Sequence, residues 1–477
     1  MSRTNVSIGI VNYYQSGLSD VAKYNLASLR LAQSMYQSEG VNTEVISCDL
    51  NHIEAFCSYV EEKDFYALTF STFSWSWDIT MKICEIIQDK VNMIFIGGPE
   101  VLNHSLEEVP AKAYLIYGEG ESFFNELSDC LGKNIKFDNF MQFKSVKETN
   151  QNGVYFVCSD WKYKLPLFDE KFLKDIRVDD LGEVLYYETT RGCPFSCAYC
   201  GYKYRKKLSG FLSPFIEDEI KRIGKLNVKR IFVVDPILGG TQAGGMTLIR
   251  WFKKYAPKVR ITAYMRPEFL TEDYIEEIKR GNIACLRFGL QTINKNVSRE
   301  IRSNDMDSIR KYLSRLSKAG INWSCEIIVG LPGDDILGLM ETFMYMIDVL
   351  HPTFIHMYHL MIIKDSPLQN AVDSEGKDWI HICEKSRFIT ECYSFTKEEL
   401  EYMLQYAELM VLLYNSYATI REHNETSIKI TNTAPSFNEL NSIVGGIIKD
   451  CTNTEHGKYL LKQRVKNDFS VILEDFM

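Results

Sequence analysis

The sequence predicts an α/β protein in which a doubly wound parallel sheet precedes a partial (β/α)6 barrel and a mainly helical C-terminal region. Two observations predict it. Short runs rich in β-branched and aromatic residues alternate with amphipathic stretches of helical length, the pattern of parallel strands joined by crossover helices. The alternation occurs in two series separated by a polar, irregular segment, and near residue 366 it gives way to helical periodicity alone.

The first series fills residues 1–140. VSIGIVN (6–12) reads as a strand, and 20–38 as a helix with Val21, Leu26, Leu29, Ala32 and Met35 on one face. TEVISCDL (43–50) and FYALTFSTF (65–73) are further strands, followed by a helix over 78–89 and by the strands NMIFIGG (92–98) and AYLIYGEGE (113–121). This is a Rossmann-like order, and such sheets bind ligands beyond the carboxyl ends of their strands. That edge carries Ser71, Thr72 and Phe73, with Trp75 just beyond, then Gly97 and Gly98, then Gly118 and Gly120. Residues 141–185, rich in Lys, Asn and Asp, read as a linker.

The second series runs over 186–365 and opens at VLYYETTRGC. Strand-like runs recur at 230–235, 260–265, 285–292, 324–330 and 353–362, with helices expected over 216–225, 246–256, 271–281, 305–319 and 335–350. With the opening strand this gives about six βα units, too few for a closed eight-fold barrel. Over 366–477 the pattern is helical and polar. Its strongest helix, 396–416, is opened by Thr396 as N-cap with Glu399 at the third position, a capping box.

Composition narrows the function classes. The 477 residues are 45% hydrophobic and 25% charged, ordinary for a globular chain, and the net charge of -9 offers no broad basic surface for nucleic acid. No run approaches the length of a membrane span. The opening MSRTNVSIGIVNYY lacks the apolar core of a secretory signal, so the expected address is the cytoplasm. Most of the 13 cysteines lie in apolar stretches, as Cys84 and Cys285 do, and read as small buried hydrophobes.

One trio differs. TTRGCPFSCAYCGYKYRKK places Cys193, Cys197 and Cys200 in one loop after a strand, at x3 and x2 spacing. Three thiolates so spaced can wrap one corner of an iron–sulfur cube and leave the fourth iron open. An open iron can chelate the amino and carboxylate groups of S-adenosylmethionine (SAM). A zinc site would want a fourth Cys or His nearby, and no second CxxC exists. The basic run at 203–207 reads as a solvated face or as counter-charge.

With these motifs the chain resembles the radical SAM superfamily, and within it the class that places a cobalamin-binding domain before the radical SAM barrel, or relatives that keep that domain without cobalamin. The resemblance rests on FYALTFSTFSWSWDI, IFIGGPEV and YLIYGEGESFFNEL in the first part and RGCPFSCAYC, RFGLQTINK, IIVGLPGD and LMIIKDSPL in the second. It implies that Cys193, Cys197 and Cys200 are the cluster ligands and Tyr199 the aromatic residue of the motif. It implies SAM-contacting roles for Gln291 and Glu326, and for Tyr264 where the family has a glutamate. Arg266 and Arg302 are implied for the methionine carboxylate, although the family's arginine position falls on Ser303 here. In the first domain it implies a corrin against Ser71–Trp75 and the glycines Gly97, Gly98, Gly118 and Gly120. Tyr358, His359 and Lys364 could line a substrate pocket.

The function expected is radical chemistry on a small-molecule or natural-product substrate, using a [4Fe-4S] cluster, S-adenosyl-L-methionine and an external electron donor of flavodoxin or ferredoxin type. Cobalamin-dependent methylation of an unactivated carbon leads. The alternative is a radical-initiated dehydration, epimerisation, ring contraction or cyclisation without methyl transfer. A cluster- or corrinoid-binding sensor is disfavoured, because the open iron and the SAM-contact residues would have no purpose.

Overall fold

A computed structural model describes residues 6–452 except 17–20, 37, 137–138, 150–154, 158–160, 203–207, 296, 298–301, 303, 365, 376–379, 384–385 and 425–434. Its first sheet has seven strands in the order β2-β1-β3-β4-β5-β7-β6. These are β1 (Val6–Tyr14), β2 (Val41–Asp49), β3 (Ala67–Ser71), β4 (Met93–Gly97), β5 (Ala113–Gly118), β6 (Val146–Thr149) and β7 (Tyr155–Val157). The pairings from β2 through β7 are parallel, and only β6 runs antiparallel, against β7. All five residues of β3 are buried, as expected of a central parallel strand covered on both faces. The segment expected to be an irregular linker therefore adds two short strands to the sheet edge. Its polar side chains hid them, because three residues of β6 stand exposed and only the backbone is paired.

The second sheet is parallel throughout, in the order β13-β12-β11-β10-β9-β8. Its strands are β8 (Val184–Tyr187), β9 (Arg230–Val233), β10 (Arg260–Met265), β11 (Ile283–Gln291), β12 (Trp323–Val329) and β13 (Phe354–His359). Strand order follows chain order, so each crossover advances by one strand, and the six βα units form the open barrel expected. The crossover helices begin on side-chain caps: Thr241 Oγ1 accepts from Gly244 N and Thr271 Oγ1 from Tyr274 N. The C-terminal region is mainly helical, with helices Lys397–Asn424 and Phe437–Thr452 and a small hairpin of β14 (Ile380–Ile382) and β15 (Ile389–Cys392). Thr396 and Glu399 form the capping box reciprocally, at 2.8 and 3.3 Å. No helix among the described residues is long and apolar enough to cross a membrane.

One hydrophobic core runs through both sheets, joining Ile8, Phe95 and Phe123 to Ile231, Phe288 and Phe343, while a second lies under the opposite face of the first sheet. Polar anchors cross the seam between the sheets. Arg30, on α1 (Leu26–Met35), is fully buried and meets Glu219 at 3.3 Å; Glu219 also accepts from Leu167 N and the Tyr187 hydroxyl. Removing one member of such a buried pair strands the other. Arg30→Met is therefore expected to cost about 3–5 kcal/mol. Urea denaturation measures it; a loss below about 1 kcal/mol would contradict the burial of this pair.

Candidate functional site

The carboxyl ends of β8 to β12 carry the predicted residues. After β8 the chain enters the cysteine loop, tied to the sheet by one buried carboxylate. Asp235 accepts from the backbone N–H of Thr189 at 2.7 Å, Thr190 at 3.1 Å and Gly239 at 3.0 Å, and from the Thr189 hydroxyl. Burial outweighs these donors and pushes its carboxyl up to about 6. Beyond this anchor Cys193, Cys197 and Cys200 are partly exposed, with none in a disulfide. The loop folds on itself: Cys200 N donates to Cys197 O at 3.2 Å, and Tyr202 N reaches Cys200 Sγ at 3.4 Å. Burial raises the Cys193 and Cys200 thiols, while the Arg266 and Arg302 charges pull Cys193 down. Among the described residues no three His, Cys, Asp or Glu side chains converge on a single ion.

Two arginines approach this loop. Arg266 follows β10, lies 3.7 Å over the Phe195 ring and places Nη1 3.9 Å from Cys197 Sγ. Its fork is filled by Glu268, at 2.6 and 3.1 Å. Arg302 Nη1 donates to the Tyr199 hydroxyl at 2.6 Å, and its buried Nε has no partner. Gln291 ends β11 in a left-handed conformation, φ 69°, after a register shift at Gly289. A Cβ at Gly289 would collide with the Gln291 amide and the Arg302 guanidinium, so glycine lets both pack there. Buried Gln291 Oε1 has no partner. Two orphaned buried polar atoms beside the cysteine loop are what a missing polar ligand would leave.

Deeper in the barrel Glu326 accepts from Arg287 Nε at 2.9 Å and the Tyr358 hydroxyl at 3.5 Å, and Arg287 Nη2 donates to Tyr358 at 2.8 Å. Burial raises the Glu326 carboxyl. Tyr264 stands edge-on to Phe232, with the Arg287 guanidinium 5.3 Å over its ring. His356, beside Glu326 in register on β13, is pushed down to about 3 by burial and by Arg287, so it is neutral near pH 7. His359 serves the packing, its Nε2 2.8 Å from Ile389 O and its ring stacked on Phe388. Lys364 is exposed.

At the edge of the first sheet Ser71 and Thr72 are buried, and Thr72 donates through both N and Oγ1 to Gly97 O, each at 2.8 Å. Gly98, at φ 96°, lies against the Thr72 backbone, and Gly118, at φ 93°, against Val157 O, so the packing itself requires these two glycines. Gly97 has ordinary clearance, and a Cβ at Gly120 would press on Phe124 at 3.1 Å. Phe73 and Trp75 are half-buried and stack at 5.9 Å and 7°, with Trp75 edge-on to Tyr13.

Residues 187–345 match the sequence model of the radical SAM superfamily. That third of the chain is similar to a radical SAM domain. It is 23% identical over 344 residues to the cobalamin-dependent radical SAM methyltransferase TokK of Streptomyces tokunonensis, covering 66% of this chain and 49% of the relative. It is also 23% identical over 351 residues to the 2-(S-pantetheinyl)-carbapenam-3-carboxylate methyltransferase of Streptantibioticus cattleyicolor, covering 68% and 50%. The chain thus spans about half the length of these relatives. Among solved structures, the radical S-adenosylmethionine methyltransferase TsrM of Kitasatospora setae, with tryptophan and a SAM analogue bound, superposes with a TM-score of 0.66 at 12% identity. That match covers 92% of this chain and 96% of TsrM. The fold is therefore shared from the first sheet to the helical region.

Within residues 187–345, sequence reasoning missed Asp235, Phe195, Glu268 and Arg287. Arg287 was legible in principle, since it shares a strand face with Gly289 by the two-residue period. Asp235 was not, because three of its four donors are backbone groups contributed from two loops. The buried Asp235 carboxyl binds its proton more tightly folded than unfolded, so it makes stability fall as pH rises from about 4 to about 6 and is flat above. Asp235→Asn is expected to remove that slope and to cost about 1–3 kcal/mol through mismatched donors. Denaturation at pH 4, 5, 6 and 7 checks both; an unaltered slope would contradict the assignment.

Proposed function

We propose that this chain is a radical SAM enzyme that holds a [4Fe-4S] cluster on Cys193, Cys197 and Cys200 and abstracts hydrogen from an unactivated carbon of a small-molecule or natural-product substrate. Cobalamin-dependent C-methylation is the outcome we favour. The observation that carries the reading is the meeting of a free three-cysteine loop with the unpartnered Gln291 Oε1 and Arg302 Nε at the same barrel mouth.

When bound, the cluster would supply the electron for reductive cleavage of SAM. The residues have separable tasks. Cys193, Cys197 and Cys200 would hold the cluster through their thiolates and leave one iron without a protein ligand. Arg302, braced by Tyr199, is suited to the methionine carboxylate, because a guanidinium pairs well with that group. Gln291 can both donate to and accept from a ribose diol. Glu326, fixed by Arg287 and Tyr358, presents an acceptor deeper in the barrel. Electrons come from an external donor of flavodoxin or ferredoxin type.

Methyl transfer is supported by the likeness to TokK, named as cobalamin-dependent, and by the fold shared with TsrM, whose structure has been solved with cobalamin and a [4Fe-4S] cluster bound. The half-buried Phe73 and Trp75 offer an apolar wall suited to a corrin face. A second reading, radical initiation without methyl transfer, is favoured by one observation: Gly98, Gly118 and Thr72 are already accounted for by internal packing.

Anaerobic reconstitution with iron and sulfide is expected to give a brown protein that converts SAM to 5′-deoxyadenosine under reduction, and Cys197→Ala to lose both the colour and the product. A Cys197→Ala protein that still made deoxyadenosine would refute the ligand assignment. For methyl transfer the expected signature is a corrin absorption band after growth with cobalamin, together with S-adenosylhomocysteine formed on turnover. Deoxyadenosine without either signature assigns the chain to the second reading.

A further inference from the structure

Two residues before Cys193 the chain places a guanidinium that none of the chemistry above uses. Arg191 Nη1 lies 3.2 Å from Glu119 Oε2, and Nη2 lies 2.7 Å from Glu121 Oε1 and 2.9 Å from Glu188 Oε2. Its Nε donates to both Glu188 oxygens, at 3.1 and 3.0 Å. Glu188 belongs to the cysteine-loop side, just after β8. Glu119 and Glu121 belong to the first-sheet region, between β5 and the opening turn of the helix Glu121–Gly132. One side chain therefore bridges the edge of the first sheet to the loop that carries the cysteines.

The bridge is part of a closed ring. Glu121 also accepts from the Tyr163 hydroxyl at 2.9 Å, the Arg30 guanidinium lies 4.6 Å over the Tyr163 ring, and Arg30 Nη2 donates to the Glu188 carbonyl at 3.2 Å. The side chains of Arg191, Glu119, Glu121 and Glu188 are at most 18% exposed. Such a ring is a poor way to gain net stability, because desolvation consumes most of the Coulomb gain. It is a good way to fix geometry. A planar fork that meets carboxylates from two directions tolerates little sliding, and lysine cannot reproduce it with one ammonium.

We infer that Arg191 is a positioning residue that holds the cysteine loop in fixed register against the Gly118–Glu121 edge of the first sheet. Whatever that edge binds is thereby presented to the barrel mouth at a set distance, and a misplacement of about 1 Å is enough to lower turnover about 100-fold. The inference rests on the cluster reading above and is independent of whether the first sheet binds a corrin.

A distance measurement tests it. A nitroxide is attached at exposed Glu107 of the first-sheet region through an introduced ketone side chain, and pulsed dipolar EPR reads its separation from the reduced cluster in the reconstituted full chain. Unmodified at Arg191, the chain is expected to give one narrow distance distribution. Arg191→Ala should broaden and shift it, with Arg191→Lys intermediate, while iron content stays at the level of the parent chain. Glu119→Gln, at the rim of the ring, serves as the variant least able to disturb folding and should broaden it as well. Distributions identical across folded, iron-loaded variants would overturn the inference. A parent chain that takes up iron without a paramagnetic cluster signal would instead fail the cluster reading, and the inference with it.

Discussion

Asp235 holds the site together. Its carboxylate gathers the backbone N–H groups of Thr189, Thr190 and Gly239 and the Thr189 hydroxyl, all at the carboxyl end of two adjacent parallel strands. Parallel strands buried on both faces leave the chain free only at their ends, and Asp235 decides how it leaves. From that anchor the chain turns through Arg191 and Gly192 into the three cysteines. The loop's approach to Arg266, Arg302 and Gln291 depends on it. Without such an anchor, a Gly- and Pro-containing loop would sample many arrangements of its sulfurs, and ordering them on a cluster would cost conformational entropy.

Around this anchor the charges are arranged for placement. Arg30 with Glu219 and Arg287 with Glu326 are buried, Arg191 with its three carboxylates is largely so, and all are tied to further donors or acceptors. Such pairs are weak sources of net stability but strong constraints on relative position. Two lie on the seam between the sheets and one inside the barrel. The hydrophobic core that crosses the seam supplies cohesion, and the ion pairs supply register. Among the buried polar atoms left without a partner, Gln291 Oε1 and Arg302 Nε are the two that belong to residues implied to contact SAM.

Much of the fold was legible because parallel strands announce themselves as short apolar runs and crossover helices as amphipathic stretches. The seven-residue β12 is buried throughout and follows the predicted SCEIIVG run closely. The pieces that escaped are those whose stabilisation is not encoded in a run of hydrophobic side chains. β6, at the sheet edge, and β7 beside it are four and three residues long, and the few apolar residues they bury, Val146, Tyr155 and Val157, stand among polar ones that read as linker. At the site, the cysteine trio was legible because its three members lie within eight residues of one loop. Arg191 bridging to Glu119 and Glu121 was not, because such a long-range pairing leaves no local period. The glycines at 98 and 118 illustrate the converse case, in which a pattern expected to accommodate a ligand is already required by the packing against Thr72 and Val157.

The proposed chemistry requires that Cys193, Cys197 and Cys200 leave one iron of a cube free to take the amino and carboxylate groups of SAM. Electron–nuclear double resonance of the reduced, reconstituted chain with SAM labelled at the methionine amino nitrogen tests this directly. A hyperfine coupling from that nitrogen to the cluster is the predicted result. A cluster spectrum that shows no such coupling, with SAM bound, would contradict it.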